Sequence, residues 1–142
     1  MPKRELYSLI LLADNDHEVI KQLSSYLSEN NFRILTAVTS KQALGLVFKK
    51  KPDLVIIDLL MPEIDGPAFK DLVGVNPETA GIPVIYTANG AYHKDPSKWR
   101  HIPEGDIISK PFETNELLSK IYGKMKKKNL KIASDSLKAV KH

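Results

Sequence analysis

The sequence predicts a single α/β domain: a doubly wound, five-stranded parallel sheet with helices on both faces. Three observations lead there. Short apolar runs alternate with segments of helical period, the pattern of successive β-α units. One run, "DLVIIDLL" (53–60), is nearly all apolar, as expected for a central parallel strand covered on both faces. The 142 residues, 42% of them apolar, suit one domain with one packed core.

Each element can be placed in turn. "YSLILLA" (7–13) reads as the first strand. Val19, Ile20, Leu23, Tyr26 and Leu27 then recur at helical spacing. They predict a helix from Asp16 to Glu29, capped by Asp16 and ended by Asn30-Asn31. "FRILTAV" (32–38) is the second strand. Ser40 is expected to cap a second helix with Ala43, Leu44, Val47 and Phe48 on one face, stopped at Lys51-Pro52. After the third strand comes a helix from Gly66 to Val73, with Asp65 in the turn before it. "IPVIYTA" (82–88) and "DIIS" (106–109) are the fourth and fifth strands. Thr114 is expected to cap a last helix holding Leu117, Leu118, Ile121 and Met125 on one side. The fourth helix is the weak link. Pro96 and Pro103 leave room for a turn or two, from Pro96 to His101, so a short or irregular helix is predicted.

Composition excludes several classes. There is no cysteine, hence no disulfide or thiolate metal site, which fits a cytoplasmic location. The start lacks a signal-peptide pattern, and no segment approaches the roughly 20 apolar residues of a membrane span. The net charge of +4 is uneven: residues 120–142 hold eight lysines and one acid, leaving residues 1–119 at −3. A basic tail on a mildly acidic body gives no reason to expect direct nucleic-acid binding. The expected division is a domain over 1–125 and a basic tail or linker over 126–142. The run Lys124 to Lys131 reads as the solvated end of the last helix. His17, His93, His101 and His142 share no ligand spacing and read as surface residues. Trp99 reads as the apolar side of the short helix before it reads as a partner anchor.

In doubly wound sheets the ligand lies beyond the carboxyl ends of the strands. Asp14, Asp58, Thr87 and Lys110 all fall at or just after such ends. Paired carboxylates repel unless a cation intervenes. Magnesium favours a few carboxylates, water and phosphate oxygens. A lysine and a threonine hydroxyl add groups suited to a phosphoryl oxygen, and an aspartate can itself accept a phosphoryl group as an acyl phosphate. Taken alone, "LLADND" (11–16) fits a metal site, a nucleophile or a helix cap.

At this point the residues resemble a known family. "VIIDLLMPEIDG" (55–66), with its Asp-x-x-Met-Pro-x-x-Asp-Gly pattern, is similar to the phosphorylation strand and loop of response-regulator receiver domains of two-component signalling, chemotaxis regulators among them. "SKPF" (109–112), "IYTAN" (85–89) and "LLADND" resemble the family's lysine-proline element, threonine strand and acidic pocket. The spacings of 44, 29 and 23 residues between Asp14, Asp58, Thr87 and Lys110 are family-like. The resemblance implies a flavodoxin-like sheet of order 2-1-3-4-5, an order given for a chemotaxis receiver. It implies that Asp58 accepts a phosphoryl group from a histidine kinase or phosphotransfer protein. It implies that Asp14, Asp58, the Leu60 carbonyl and the residue at position 15 hold magnesium. Lys110, Thr87 and Ala88 would bind the phosphoryl group, with Thr87 moving as the local half of a switch. It also implies a Lys110-Pro111 bond that is often cis.

Two positions depart from the family. Asn15 stands where the family has its second acid, which predicts weaker magnesium binding. Ile107 stands three residues before the lysine, where the family often has an aromatic ring that turns on phosphorylation. These motivate an alternative: a receiver-like binding module with weakened or lost phosphorylation. A further alternative treats "DND" (14–16) as the Asp-x-Asp motif of haloacid-dehalogenase-type phosphatases, with Asp14 as nucleophile. Against it, Glu18 stands where that motif has Thr or Val, no cap domain fits, and the Asp58 loop goes unexplained. A monomer or weak dimer is expected. The sequence does not name the downstream partner.

Overall fold

A computed structural model describes residues 7–90, 96–99 and 101–126 of the chain. The strands β1 (Leu9–Ala13), β2 (Arg33–Ala37), β3 (Leu54–Asp58), β4 (Val84–Ala88) and β5 (Ile107–Ser109) form one sheet in the order β2-β1-β3-β4-β5. All neighbours run parallel, with Leu12 opposite Thr36 and Ile56, Ile57 opposite Tyr86, and Thr87 opposite Ile108. β3 and β4 are buried at every residue, which is why their sequences are apolar on both sides of the pleat.

Helices α1 (His17–Glu29), α2 (Ser40–Lys50), α3 (Gly66–Val75), α4 (Pro96–Trp99) and α5 (114–126) link and flank the strands. Side chains alternate along a strand, so the core divides in two. Leu23 and Leu27 of α1 and Leu117 and Ile121 of α5 pack on Ile10, Leu12, Ile56, Ile85 and Ile108. Val47 of α2, Phe69 and Val73 of α3, and Trp99 pack on Leu11, Val55, Ile57, Tyr86 and Ile107. Among the described residues no helix is long and apolar enough to cross a membrane.

Local chemistry sets the helix ends. The Asp16 carboxylate accepts the Glu18 N–H and caps α1, and Asp65 does the same for α3 through the Ala68 N–H. Asn31, at φ 69°, ends the α1 region in the left-handed conformation that asparagine tolerates. Two expected caps are corrected. Thr39, not Ser40, caps α2 by accepting the Gln42 N–H at 3.1 Å, because Ser40 is already helical and its hydroxyl is engaged elsewhere. Glu113, not Thr114, caps α5, accepting N–H groups from Asn115 and Glu116.

Several boundaries also move. α3 runs two residues past Val73, to Val75. β4 begins at Val84, since Ile82 belongs to the preceding turn and donates to Thr79. Asp106 lies in a 3₁₀ turn, Glu104–Asp106, leaving β5 three residues. α4 is four residues, in line with the two prolines around it, and its Trp99 is buried within the core, which removes it as a surface anchor. Lys124 is not merely solvated: it pairs with the buried carboxylate of Asp106. His17 and His101 are exposed, while His93, His142 and the tail beyond 126 lie outside the described residues.

Candidate functional site

β1 and β3 lie side by side where the chain's strand order reverses, so their carboxyl ends border the crevice expected to hold a ligand. Asp14 follows β1 and Asp58 ends β3, and both are more than nine-tenths buried. Each carboxylate is fixed by a main-chain donor two residues further on. Asp14 Oδ1 accepts the Asp16 N–H at 2.9 Å, and Asp58 Oδ1 accepts the Leu60 N–H at 3.0 Å. The Asp14 N–H in turn donates to the Ala37 carbonyl of β2 at 3.1 Å.

The remaining oxygens converge on one ammonium. Lys110 Nζ lies 2.6 Å from Asp14 Oδ2 and 2.9 Å from Asp58 Oδ2. Lys110 follows β5, its N–H donates to the Ala88 carbonyl at 2.6 Å, and its bond to Pro111 is cis. Burial alone would lower the lysine's pKa, but its hydrogen bonds to Asp14 and Asp58 and their charges outweigh that and raise it. The raised value favours the folded state below pH 10.5, and this contribution is lost as pH climbs through the folded pKa.

Thr87 is buried beside this group, register partner of Asp58, and its carbonyl accepts the Leu59 N–H at 2.8 Å. Ala88 follows it at the end of β4. Asn15 is exposed and makes no side-chain hydrogen bond among the described residues. Leu60 is 40% exposed, with its backbone in the loop over the site. The structure therefore gathers Asp14, Asp58 and Lys110 into direct contact and sets Thr87 next to them, with Asn15 on the rim. Among the described residues no three or more His, Cys, Asp or Glu side chains form a cluster able to hold a metal ion. The oxygen groups that could hold a hard cation at this edge are the two carboxylates, the Asn15 amide and the Leu60 carbonyl.

Ile107 is buried and sits opposite Tyr86 on the same side of the sheet. The aromatic ring on this side thus stands on β4, next to Thr87. Burial pushes the Tyr86 hydroxyl up to about 12, helped by the charges of Asp106, Asp71 and Asp65. Tyr86 was legible in "IYTAN" as a residue but not as a neighbour of position 107, because sheet register is not written in the sequence. Asp106 and its partner Lys124 were missed for the same reason. Its sole sequence signal was an acid directly before an apolar strand.

A parallel 2-1-3-4-5 sheet with an aspartate pair and a lysine at its carboxyl edge defines a receiver-type signalling domain. The comparisons agree: residues 10–122 match the response regulator receiver domain, and the chain belongs to that family. The "Probable transcriptional regulator ycf29" of Pyropia yezoensis is 32% identical over 125 residues, covering 88% of this chain and 56% of that protein. Response regulator GtcR of Aneurinibacillus migulanus is 32% identical over 120 residues, covering 83% of this chain and 48% of that protein. The chain thus spans about half the length of the curated relatives it matches. Among solved structures, the signal receiver domain of an HD domain-containing protein from Pseudomonas fluorescens Pf-5 superposes with a TM-score of 0.74 at 25% identity, covering 87% of this chain and 98% of that one. Family membership displaces the phosphatase alternative built on Asp14.

Proposed function

We propose that this chain is a phosphoacceptor receiver in which the Asp58 carboxylate takes a phosphoryl group from a histidine kinase or phosphotransfer protein. Asp58 Oδ attacks phosphorus, the P–N bond to the donor's imidazole breaks, and the histidine leaves as the neutral ring after taking a proton. The observation that carries this reading is the single ammonium of Lys110 held between Asp58 and Asp14. A fixed cation at the acceptor is what a transferring group with three anionic oxygens requires.

Asp14, Asp58 and the Leu60 carbonyl, with the Asn15 amide, would hold magnesium, whose double charge neutralises the phosphoryl oxygens during transfer. Lys110 would keep one phosphoryl oxygen by donating to it, and the Thr87 hydroxyl and the Ala88 N–H would donate to others. Thr87 precedes Ala88 and follows Tyr86 on β4, so a shift of the β4 backbone at Thr87 would also move the Tyr86 ring packed on the α3 side. A cleft of about 520 Å³ beside Lys110, lined by Val19, Leu23, Tyr26 and Phe112, gives the donor protein an apolar surface within reach of Asp58. The cytoplasm is the compartment in which such a kinase would act.

The exposed amide of Asn15 favours a second reading, a receiver-like module that signals by contact with little phosphorylation. Labelling with acetyl phosphate across a magnesium series separates the two. The acceptor reading expects magnesium-dependent acid-stable label on the parent chain and none on Asp58→Asn. A parent chain that takes up neither label nor beryllofluoride at saturating magnesium leaves only the contact module.

A further inference from the structure

The loop from Leu59 to Gly66 carries both the backbone donor to Asp58 and the Leu60 carbonyl. Its ends are tied, Leu59 N–H to the Thr87 carbonyl at 2.8 Å and Gly66 N–H to the Leu59 carbonyl at 3.1 Å. Met61 is buried and plugs the first half into the core. The second half is less secure. Ile64 N–H donates back to the Pro62 carbonyl at 2.9 Å, a tight turn that holds Glu63 at φ 71°. That is the left-handed region, which a residue with a Cβ adopts at a cost. The pair between Glu63 and Lys41, at 3.4 Å, is exposed on both sides and adds little.

Ser40 supplies the missing brace. Freed from capping by Thr39, it is fully buried in the first turn of α2. Its hydroxyl lies 2.5 Å from the Ile64 carbonyl and 3.3 Å from the Pro62 carbonyl, on either side of Glu63. A hydroxyl has one hydrogen to give, so the bond to Ile64 is the main one. α2 is anchored in turn by Ala43 and Val47, both fully buried.

We propose that Ser40 is a positioning residue for phosphoryl transfer: by clamping the strained turn at Glu63 it keeps Leu60 and Asp58 in the geometry that binds the cation. The role rests on Asp58 being the acceptor. The brace itself can be tested apart from it, by amide hydrogen exchange and magnesium-dependent acetyl phosphate labelling of the full chain. In Ser40→Ala, exchange at Leu60 and Ile64 should rise about tenfold, the scale of losing one buried hydrogen bond, while Val55 and Ile85 stay as they were. The magnesium needed for half-maximal labelling should rise several-fold, with a smaller change in the rate at saturation. Glu63→Gly, which relieves the positive φ, should recover part of both losses in the Ser40→Ala background. Unchanged exchange at Leu60 and Ile64 in Ser40→Ala, or no recovery with Glu63→Gly, overturns the proposal. If the parent chain takes no label, the acceptor function falls, and the exchange result alone still decides whether Ser40 holds the loop.

Discussion

On the β1–β3 half of the sheet edge, each carboxylate is fixed by an N–H only two residues along the chain, and α1 and α3 each start on their own aspartate cap. On the β4–β5 half, α4 is four residues long, β5 is three, and the 3₁₀ turn before β5 has no side-chain cap. That half is held from a distance. Lys120 Nζ donates to the Gly105 carbonyl at 3.1 Å, and Lys124 pairs with buried Asp106, both from α5. The carboxylates of the first half are thus oriented by short-range bonds, whereas the other half is braced from α5. The halves also meet in the backbone, where the Leu59 N–H beside Asp58 donates to the Thr87 carbonyl of β4.

Lys110 joins the two halves, and removing it is the largest test. Lys110→Met leaves two buried carboxylates without their shared cation, at a cost of about 3 kcal/mol. The expected result is a lower melting temperature in chelator, largely restored by magnesium. An equal loss with and without magnesium would show that charge is not what the lysine supplies.

Gly66 is next. A Cβ there would stand 2.7 Å from Tyr86 Cδ1 and 3.3 Å from the Leu59 Cα. Gly66→Ala should cost about 2 kcal/mol by overpacking, and clearly less in a Tyr86→Ala background, where only the Leu59 backbone contact remains. Additive costs in that double-mutant cycle would refute the contact.

Tyr86 tests the same side by pH. Its raised pKa, about 12, means that the unfolded chain loses the phenolic proton first. Stability is thus intact below pH 10 and falls as pH rises towards 12. Tyr86→Phe should match the parent near neutrality and exceed it by about 2 kcal/mol near pH 12. Parallel alkaline unfolding curves would contradict this.

Lys124→Met probes the distant support. It should cost about 1–2 kcal/mol, discounted because the lysine is partly exposed. It should leave magnesium affinity at Asp58 unchanged. A shift in that affinity would mean that the two halves are coupled in the resting state. The smallest effect is expected from Asn15→Asp, which adds a charge at the rim. Magnesium binding should tighten by about tenfold with little change in melting temperature, as read by calorimetry with and without the ion.

The same contrast explains what could be read from the sequence. Strand alternation and the Asp58 loop were legible because each is a local pattern, and the strand-end positions of Asp14, Thr87 and Lys110 followed from it. The short α4 was legible from Pro96 and Pro103. Thr39 and Glu113 were missed as caps because each stands one residue from another plausible capping side chain, and only backbone geometry chooses between them. Ser40 on Ile64 and Lys124 on Asp106 join residues 24 and 18 positions apart. No spacing rule reaches them.

The ammonium between Asp14 and Asp58 also separates staying folded from being ready to react. The lysine already sets a positive charge from within the chain against the two buried carboxylates. In the proposed acceptor, an arriving cation would meet a rival already in place and would displace part of it. Occupancy would then follow how much free ion the surroundings offer, and readiness of the proposed acceptor would grade with ionic conditions before any donor protein arrives.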